Sequence, residues 1–202
     1  MKKYILLIST IILFSSLSYP QLVIENFNYP VGDHLTSHGY HSFIGGSTNP
    51  ITVIDGNLSY AQYPSSGIGN MIQMGKTGQS VYDSLPAIIS SGTIYAAMLV
   101  NVDSAQSGGD FFFFFGRAPI DTFFYTRTLI KQAENGNLAF GINISRDDES
   151  IRYSDSIYST GQTYLLVVAY KFIEGENNDT VKMWINPEIS LLEPPADLIA
   201  WD

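Results

Sequence analysis

Residues 93–116 constrain the fold more than any other part of the chain. Residues 93–102 are rich in β-branched and aromatic side chains and contain no Pro or Gly, which predicts a β-strand. A polar break with two glycines follows, and residues 111–115 are then five consecutive phenylalanines. Because side chains alternate between the two faces of a strand, this second strand carries aromatic rings on both faces. It is therefore either covered on both sides or uses one face to bind a ligand.

The rest of the chain alternates between strand-like and turn-like segments. Asn135-Gly136 predicts a tight hairpin turn before a return strand over 138–144, and apolar runs over 163–173 and 180–185 flank a polar turn. No amphipathic helix period is sustained, and the chain is rich in Tyr, Phe and Gly. The sequence predicts an all-β fold in which two antiparallel sheets pack face to face as a sandwich.

The N-terminal half gives weaker signals. Residues 22–27 form a short strand candidate, and Asp55-Gly56 predicts a hairpin that pairs 51–54 with 58–60. Residues 64–80 are rich in glycine and predict an irregular loop.

The first residues have the composition of a secretory signal peptide. Lys2-Lys3 form a charged start, residues 4–14 are apolar, and Ser16-Leu17-Ser18 offers the small side chains that a signal peptidase reads. An N-terminal membrane anchor is the less favoured alternative, because the apolar run is shorter than the roughly 20 residues that a span needs. We expect a signal peptide over 1–18 and one domain over 19–202. The protein would then be secreted or lie at the cell surface, without membrane insertion after signal removal.

The charge balance restricts the classes of partner. The formal net charge is −9, and loss of Lys2 and Lys3 would leave 8 basic against 19 acidic residues, or −11. Because no basic stripe exists to replace phosphate counterions, we expect no nucleic-acid partner and no binding to an anionic membrane surface. The chain has no cysteine, so an exported form must rely on a large apolar core and not on disulfides.

Five segments are distinctive: GTIYAAMLVNVDSAQSGGDFFFFFG, NGNLAFGI, GQTYLLVVAYKFIEGENNDTVKMWINP, ENFNYPVGDHL and TNPITVIDGNLSY. They resemble the laminin-G-like, concanavalin A-like domains of secreted proteins from Bacteroidota, over about residues 25–195. The resemblance implies a two-sheet antiparallel jelly-roll sandwich. It also implies a closing strand beyond residues 198–202, so the chain is expected to lack its last strand or to close differently.

Domains of this family serve as glycan binders, adhesion modules and accessory domains of enzymes. The resemblance therefore implies a non-catalytic recognition module for extracellular polysaccharide or a cell-surface glycan. One alternative is a structural or adhesion module that contacts a surface protein. Another is an accessory domain of a larger secreted protein.

Aromatic and basic side chains are the candidate ligand-binding residues. Sugar rings stack on aromatic side chains, while polar side chains bind the hydroxyl groups. A binding face of this kind would consist of Phe112, Phe114, Phe124 and Arg127, if the strands that carry them are neighbours. The alternative is that these phenylalanines belong to the core or lie under the loop 64–80.

Acidic residues near the two ends of the chain are the candidate metal ligands. Ca²⁺ takes hard oxygen ligands, and Glu25, Asp33 and Asp202 would meet if the termini adjoin, as in related sandwiches with a structural ion. The alternative is that they are ordinary surface acids and turn caps. We expect no required cofactor, with structural Ca²⁺ as the one candidate.

Two other motifs suggest ligands only superficially. Residues 69–77 resemble a phosphate-binding loop, but Asn70 holds the position of its first glycine, so a surface loop is the better interpretation. His34, His38 and His41 have a spacing that suits Zn²⁺ on a helix. The Gly, Ser and Thr around them favour polar loop histidines instead.

Motifs for hydrolysis are absent from the sequence. Glycosidases need two carboxylates, and the chain has none of the Glu-x-Asp-x-x-Glu pattern of related glucan-hydrolysing sandwiches. Asp147-Asp148-Glu149 lies in a predicted turn, where adjacent acids point apart, and neither a Gly-x-Ser-x-Gly elbow nor a cysteine nucleophile occurs. We expect no enzymatic activity; the alternative is an enzyme whose site is assembled from scattered residues.

Overall fold

Antiparallel β-strands are the main regular secondary structure of the chain. The computed structural model describes residues 21–117, 119–120, 124–144, 150–190 and 192–201. Within them, a 3-10 helix spans Leu35–His38 and the strands are β1 His41–Ile44, β2 Thr52–Ile54, β3 Met71–Gln73, β4 Ser80–Tyr82, β5 Gly92–Asn101, β6 Asp110–Gly116, β7 Phe124–Gln132, β8 Leu138–Ile144, β9 Arg152–Tyr153, β10 Thr163–Phe172, β11 Thr180–Ile185 and β12 Leu198–Trp201. The predicted all-β, antiparallel character is confirmed.

Eight of these strands form two large sheets. Sheet I has the order β12-β11-β10-β5, and sheet II has the order β6-β7-β8-β9. The two strands at the centre of the sequence prediction, β5 and β6, are therefore not partners but edges of different sheets. The polar break between them carries the chain from one sheet to the other.

The two sheets share one apolar core. Alternate residues of β8, β10 and β11 are buried in it, and Phe140, Ile142, Leu166, Val168 and Met183 are completely inaccessible to solvent. Burial of a side chain of this size contributes about 1.5–3 kcal/mol, which provides the stabilisation expected of a chain without disulfides. This arrangement, with the core between two antiparallel sheets, is compatible with a β-sandwich.

The N-terminal part of the chain forms two small sheets, β1 with β4 and β2 with β3. Its own apolar cluster is centred on Leu35, Ile51 and Val53. The predicted hairpin between 51–54 and 58–60 is wrong. Strand β2 pairs instead with β3, which lies within the predicted loop 64–80. Residues 22–27 do not form a strand either.

The two ends of the chain are described only in part. Residues 1–20, which include the predicted signal peptide, lie outside the described residues. At the other end, β12 pairs with β11 and is an edge strand of sheet I among the described residues. A closing strand beyond it stays a prediction. No helix in the described part of the chain is long and apolar enough to cross a membrane.

Candidate functional site

Three of the four predicted ligand-binding residues lie together on the outer face of sheet II. Phe114 and Arg127 are direct partners across β6 and β7. The Phe114 and Phe124 rings are 4.7 Å apart between centroids, and the Arg127 guanidinium carbon lies 6.0 Å from the centre of the Phe111 ring. The strands are neighbours, as the prediction required.

Phe112 is on the opposite face of the sheet from these three residues, and its role in ligand binding stays a prediction. Phe111 pairs with Leu129 and Phe113 with Thr128, so Phe112 is an extra residue in β6 at a β-bulge. A bulge shifts the alternation of side chains by one residue. Phe112 therefore packs against the core between the sheets.

The β1–β4 pair covers the aromatic face of sheet II. Phe43 of β1 lies 6.2 Å from Phe114 and 5.9 Å from Phe124 between ring centroids, and it also contacts Tyr82 of β4. Phe124 is only 5% exposed as a result. Phe43 thus closes the Phe124 side of the cluster, while Phe111 and Phe114 stay partly exposed.

The two described members of the predicted calcium site have other partners. The Glu25 carboxylate accepts hydrogen bonds from the Phe27 N–H at 2.6 Å and from the hydroxyls of Tyr29 and Tyr40 at 2.8 and 3.1 Å. Burial, together with the nearby Glu25 charge, raises the pKa of Tyr40 well above its usual value. These bonds hold the segment before the 3-10 helix against β1.

Asp33 belongs to a different contact. Its Oδ2 lies 2.9 Å from Nε2 of His38, whose ring stacks on Tyr29 with centroids 4.0 Å apart. His41 instead faces the Tyr82 ring at 5.3 Å. In the ranges that the structure describes, no group of three His, Cys, Asp or Glu side chains could hold a metal ion. Asp202 lies outside those ranges, and the calcium site stays a prediction.

The remaining sequence motifs gain no ligand chemistry from the structure. Residues 69–77 include strand β3, so the predicted surface loop is wrong in part, and among the described residues no helix follows that strand. Asp147, Asp148 and Glu149 lie outside the described residues.

The outer face of sheet I carries a set of residues that the sequence prediction did not single out. Strand pairing places Thr93, Lys171, Thr180 and Trp201 in one row across β5, β10, β11 and β12. The next row contains Tyr95, Ala169, Lys182 and Ile199. The residues between these rows on β11 and β12 are buried in the core, which directs the two rows outward.

These rows surround an open depression of about 250 Å³. Its lining consists of Thr93, Tyr95, Ala169, Lys171, Thr180, Lys182 and Glu193. Ala169 is the smallest of them and lies between Tyr95 and Lys182 in its row. Two aromatic side chains remain accessible on this face, since Tyr95 is 53% and Trp201 59% exposed.

Glu193 connects both sides of the depression. Its Oε1 accepts a hydrogen bond from Lys182 Nζ at 2.8 Å, and its Oε2 accepts one from the Tyr95 hydroxyl at 2.7 Å. The bonds from Lys182 and Tyr95 lower the pKa of Glu193. Burial, with the hydrogen bond to Glu193, raises the pKa of Tyr95 to about 12. At neutral pH, therefore, Glu193 is ionised and Tyr95 keeps its proton.

The segment that follows β11 forms one wall of the depression. The indole N–H of Trp184 donates a hydrogen bond to the Pro194 carbonyl at 2.8 Å, and the Trp184 ring lies 6.4 Å from that of Tyr95. Trp184 is consequently 3% exposed, whereas the side chains of Tyr95 and Trp201 remain accessible to solvent. The wall thus fixes Glu193 above the sheet.

The chemistry of this face suits binding. Exposed rings stack on the apolar faces of sugars, and hydroxyl, ammonium and carboxylate groups hydrogen-bond sugar hydroxyls. Among the described residues, Glu193 is the carboxylic acid that lines the depression. A signal for this face does exist in the sequence, because Lys171 and Lys182 interrupt apolar strands at outward positions. The pairing of β5 with β10, however, is not encoded locally.

Comparison with family models, with curated proteins and with solved structures finds no match to this chain. The resemblance to laminin-G-like domains therefore rests on the sequence segments alone and stays a hypothesis.

Proposed function

We propose that the protein is a non-catalytic recognition module that binds extracellular polysaccharide or glycan through the outer face of sheet I. The observation that carries the proposal is the open depression beside two exposed aromatic residues, Tyr95 and Trp201, with polar side chains from three strands around it. The phenylalanine cluster of sheet II, the face expected from the sequence, is partly covered by Phe43.

The proposal extends to the fold family and the location. Two antiparallel sheets with a shared core are what a concanavalin A-like jelly roll requires, and the sequence segments that resemble laminin-G-like domains support that assignment. The N-terminal sequence supports export, to the medium or to the cell surface. The module would then act alone or as an accessory domain of a larger secreted protein.

A glycan-binding screen tests this function. The purified protein is applied to a broad polysaccharide panel, in Ca²⁺ and again in chelator, after circular dichroism has confirmed that it is folded. We expect retention on at least one glycan class. Retention that needs Ca²⁺ would support the predicted metal site, while retention in chelator would show that the depression acts without an ion. A folded protein that binds no glycan in either buffer would contradict the proposal.

A second candidate is an adhesion or structural module that contacts a protein. The observation that favours it is the edge strand β12, which exposes Ile199 and Trp201 together on one face. Edge strands with exposed apolar side chains can pair with another chain. Under this alternative, Trp201→Ala reduces association with a protein partner and the glycan screen gives no retention.

A further inference from the structure

The two lysines of the depression differ in how their charges are balanced. Lys182 Nζ is 2.8 Å from the Glu193 carboxylate, so this pair is neutral overall. Lys171 is exposed, and among the described residues it makes no ion pair within 4.0 Å, although its charge contributes to the lowered pKa of Glu193. The depression thus carries one net positive charge in a protein whose formal net charge is −9.

Lys171 lies in the middle of its row. It pairs with Thr93 on one side and with Thr180 on the other, so two hydroxyl groups flank the ammonium group. Trp201 follows Thr180 in the same row. Because neighbouring strands are about 4.8 Å apart, the Lys171 and Trp201 backbones are separated by roughly 10 Å.

From this arrangement we infer that the depression selects anionic sugars, with Lys171 binding a carboxylate or sulfate group of the ligand. The inference rests on the proposed function and adds the ligand class to it. A sugar ring stacked on Trp201 places a neighbouring unit of the same chain over Thr180 and Lys171. The hydroxyls of Thr93 and Thr180 donate further hydrogen bonds to the anion. A charge-assisted hydrogen bond of this kind is stronger than one between neutral groups.

The negative charge of the whole protein affects how the test is designed. Added salt screens the attraction at Lys171 and also the repulsion between the protein and an anionic polymer. Salt dependence therefore reports on both effects at once. Matched ligands and matched variants separate them.

The test compares four polymers in two pairs: polygalacturonate against its carboxyl-reduced form, and dextran sulfate against dextran. The first pair probes carboxylates, and the second probes sulfates. Dissociation constants are measured for the wild type, Lys171→Gln, Lys171→Arg and the control Lys76→Gln, which removes an exposed lysine from the loop after β3. Each variant is first checked for an unchanged thermal unfolding midpoint.

We expect the wild type to bind one anionic polymer about tenfold more tightly than its neutral partner, the effect of one charge-assisted hydrogen bond. Lys171→Gln should remove that preference, whereas Lys171→Arg and Lys76→Gln keep it. Equal affinity within both pairs would overturn the inference while leaving glycan binding intact. A preference that persists in Lys171→Gln would also overturn it. Failure to bind any glycan, in this set or in the broad panel, would remove the proposed function as well.

Discussion

The ring of Phe43 on β1 packs edge-on against Phe124 on β7, with centroids 5.9 Å apart and planes at 84°. This contact joins the N-terminal β1–β4 pair to the outer face of sheet II. Because Phe124 is 5% exposed there, its ring is part of the folded interior. Aromatic pairs in this geometry contribute beyond their buried area.

Truncation of this pair should therefore lower stability. Phe124→Ala is expected to reduce the free energy of unfolding by about 3–5 kcal/mol, because it leaves a cavity among packed rings. Phe43→Ala, at the partly exposed side of the contact, should cost about 1–2 kcal/mol. Urea denaturation measures both. If neither variant changes the denaturation midpoint, the β1–β4 pair does not cover this face in solution.

The bulge at Phe112 gives a prediction that separates the two faces of β6. Phe112→Ala should destabilise the protein by about 3 kcal/mol, since the ring packs against the core between the sheets. It should leave the affinity for any retained glycan unchanged in the folded fraction. A loss of binding without a loss of stability would place Phe112 on a ligand face, as the sequence first indicated.

Two buried threonines on β7 form a matched pair. Both are completely inaccessible, but the Thr126 hydroxyl donates to the Asn143 carbonyl at 2.7 Å, while the Thr128 hydroxyl has no hydrogen-bond partner among the described residues. Thr128→Val should therefore be neutral or stabilising by up to about 1 kcal/mol, since it removes an unpaired polar atom. Thr126→Val should cost about 1–2 kcal/mol. Equal losses from the two substitutions, measured by urea denaturation, would contradict this difference.

Glu193 makes the wall of the depression sensitive to acid. Its folded-state pKa is lowered from the ordinary 4.5, so the bonds to Lys182 and Tyr95 contribute to stability above pH 4.5. That contribution is lost as the pH falls through the lowered folded-state pKa. Because both charged side chains are partly exposed, it amounts to at most about 1 kcal/mol.

The effect can be measured as the difference in unfolding free energy between the wild type and Glu193→Gln. The difference should be present at pH 7 and should disappear at low pH, where the wild type also carries a neutral side chain. Fluorescence of Trp184, which bonds to Pro194 in the same segment, reports whether the wall stays in place. A difference that is constant across the whole pH range would contradict the role assigned to the Glu193 charge.

Local signals predicted much of the sheet structure. The bounds of β8 and β11 agree with the sequence prediction, because Asn135-Gly136 and Asn186-Pro187 mark where the chain must turn or stop. In the first of these turns Gly136 has φ +83°, a left-handed conformation that glycine adopts without strain. Apolar residues between such signals have few alternatives to a strand.

The candidate site depended on information that is not local. Tyr95 and Lys182 lie on β5 and β11, and they come close only because β10 pairs with both strands. The polar turn after β10 accounts for its pairing with β11, but no turn signal specifies its pairing with β5. Similarly, the alternation of residues 111–115 predicts two faces correctly, but the bulge that moves Phe112 from one to the other is a property of the β6–β7 register. Sequence patterns identify strands more readily than they identify their partners.

The most direct test of the account is the affinity of the best-retained glycan for the wild type, Tyr95→Phe, Tyr95→Ala and the control Ile157→Ala, whose side chain is 66% exposed. The account predicts that Tyr95→Ala weakens binding about tenfold, as loss of a stacking ring costs about 1–2 kcal/mol. Tyr95→Phe, which keeps the ring, and Ile157→Ala should bind nearly as the wild type does. Undiminished binding by a folded Tyr95→Ala variant would contradict the assigned role of Tyr95 as a stacking residue of the site.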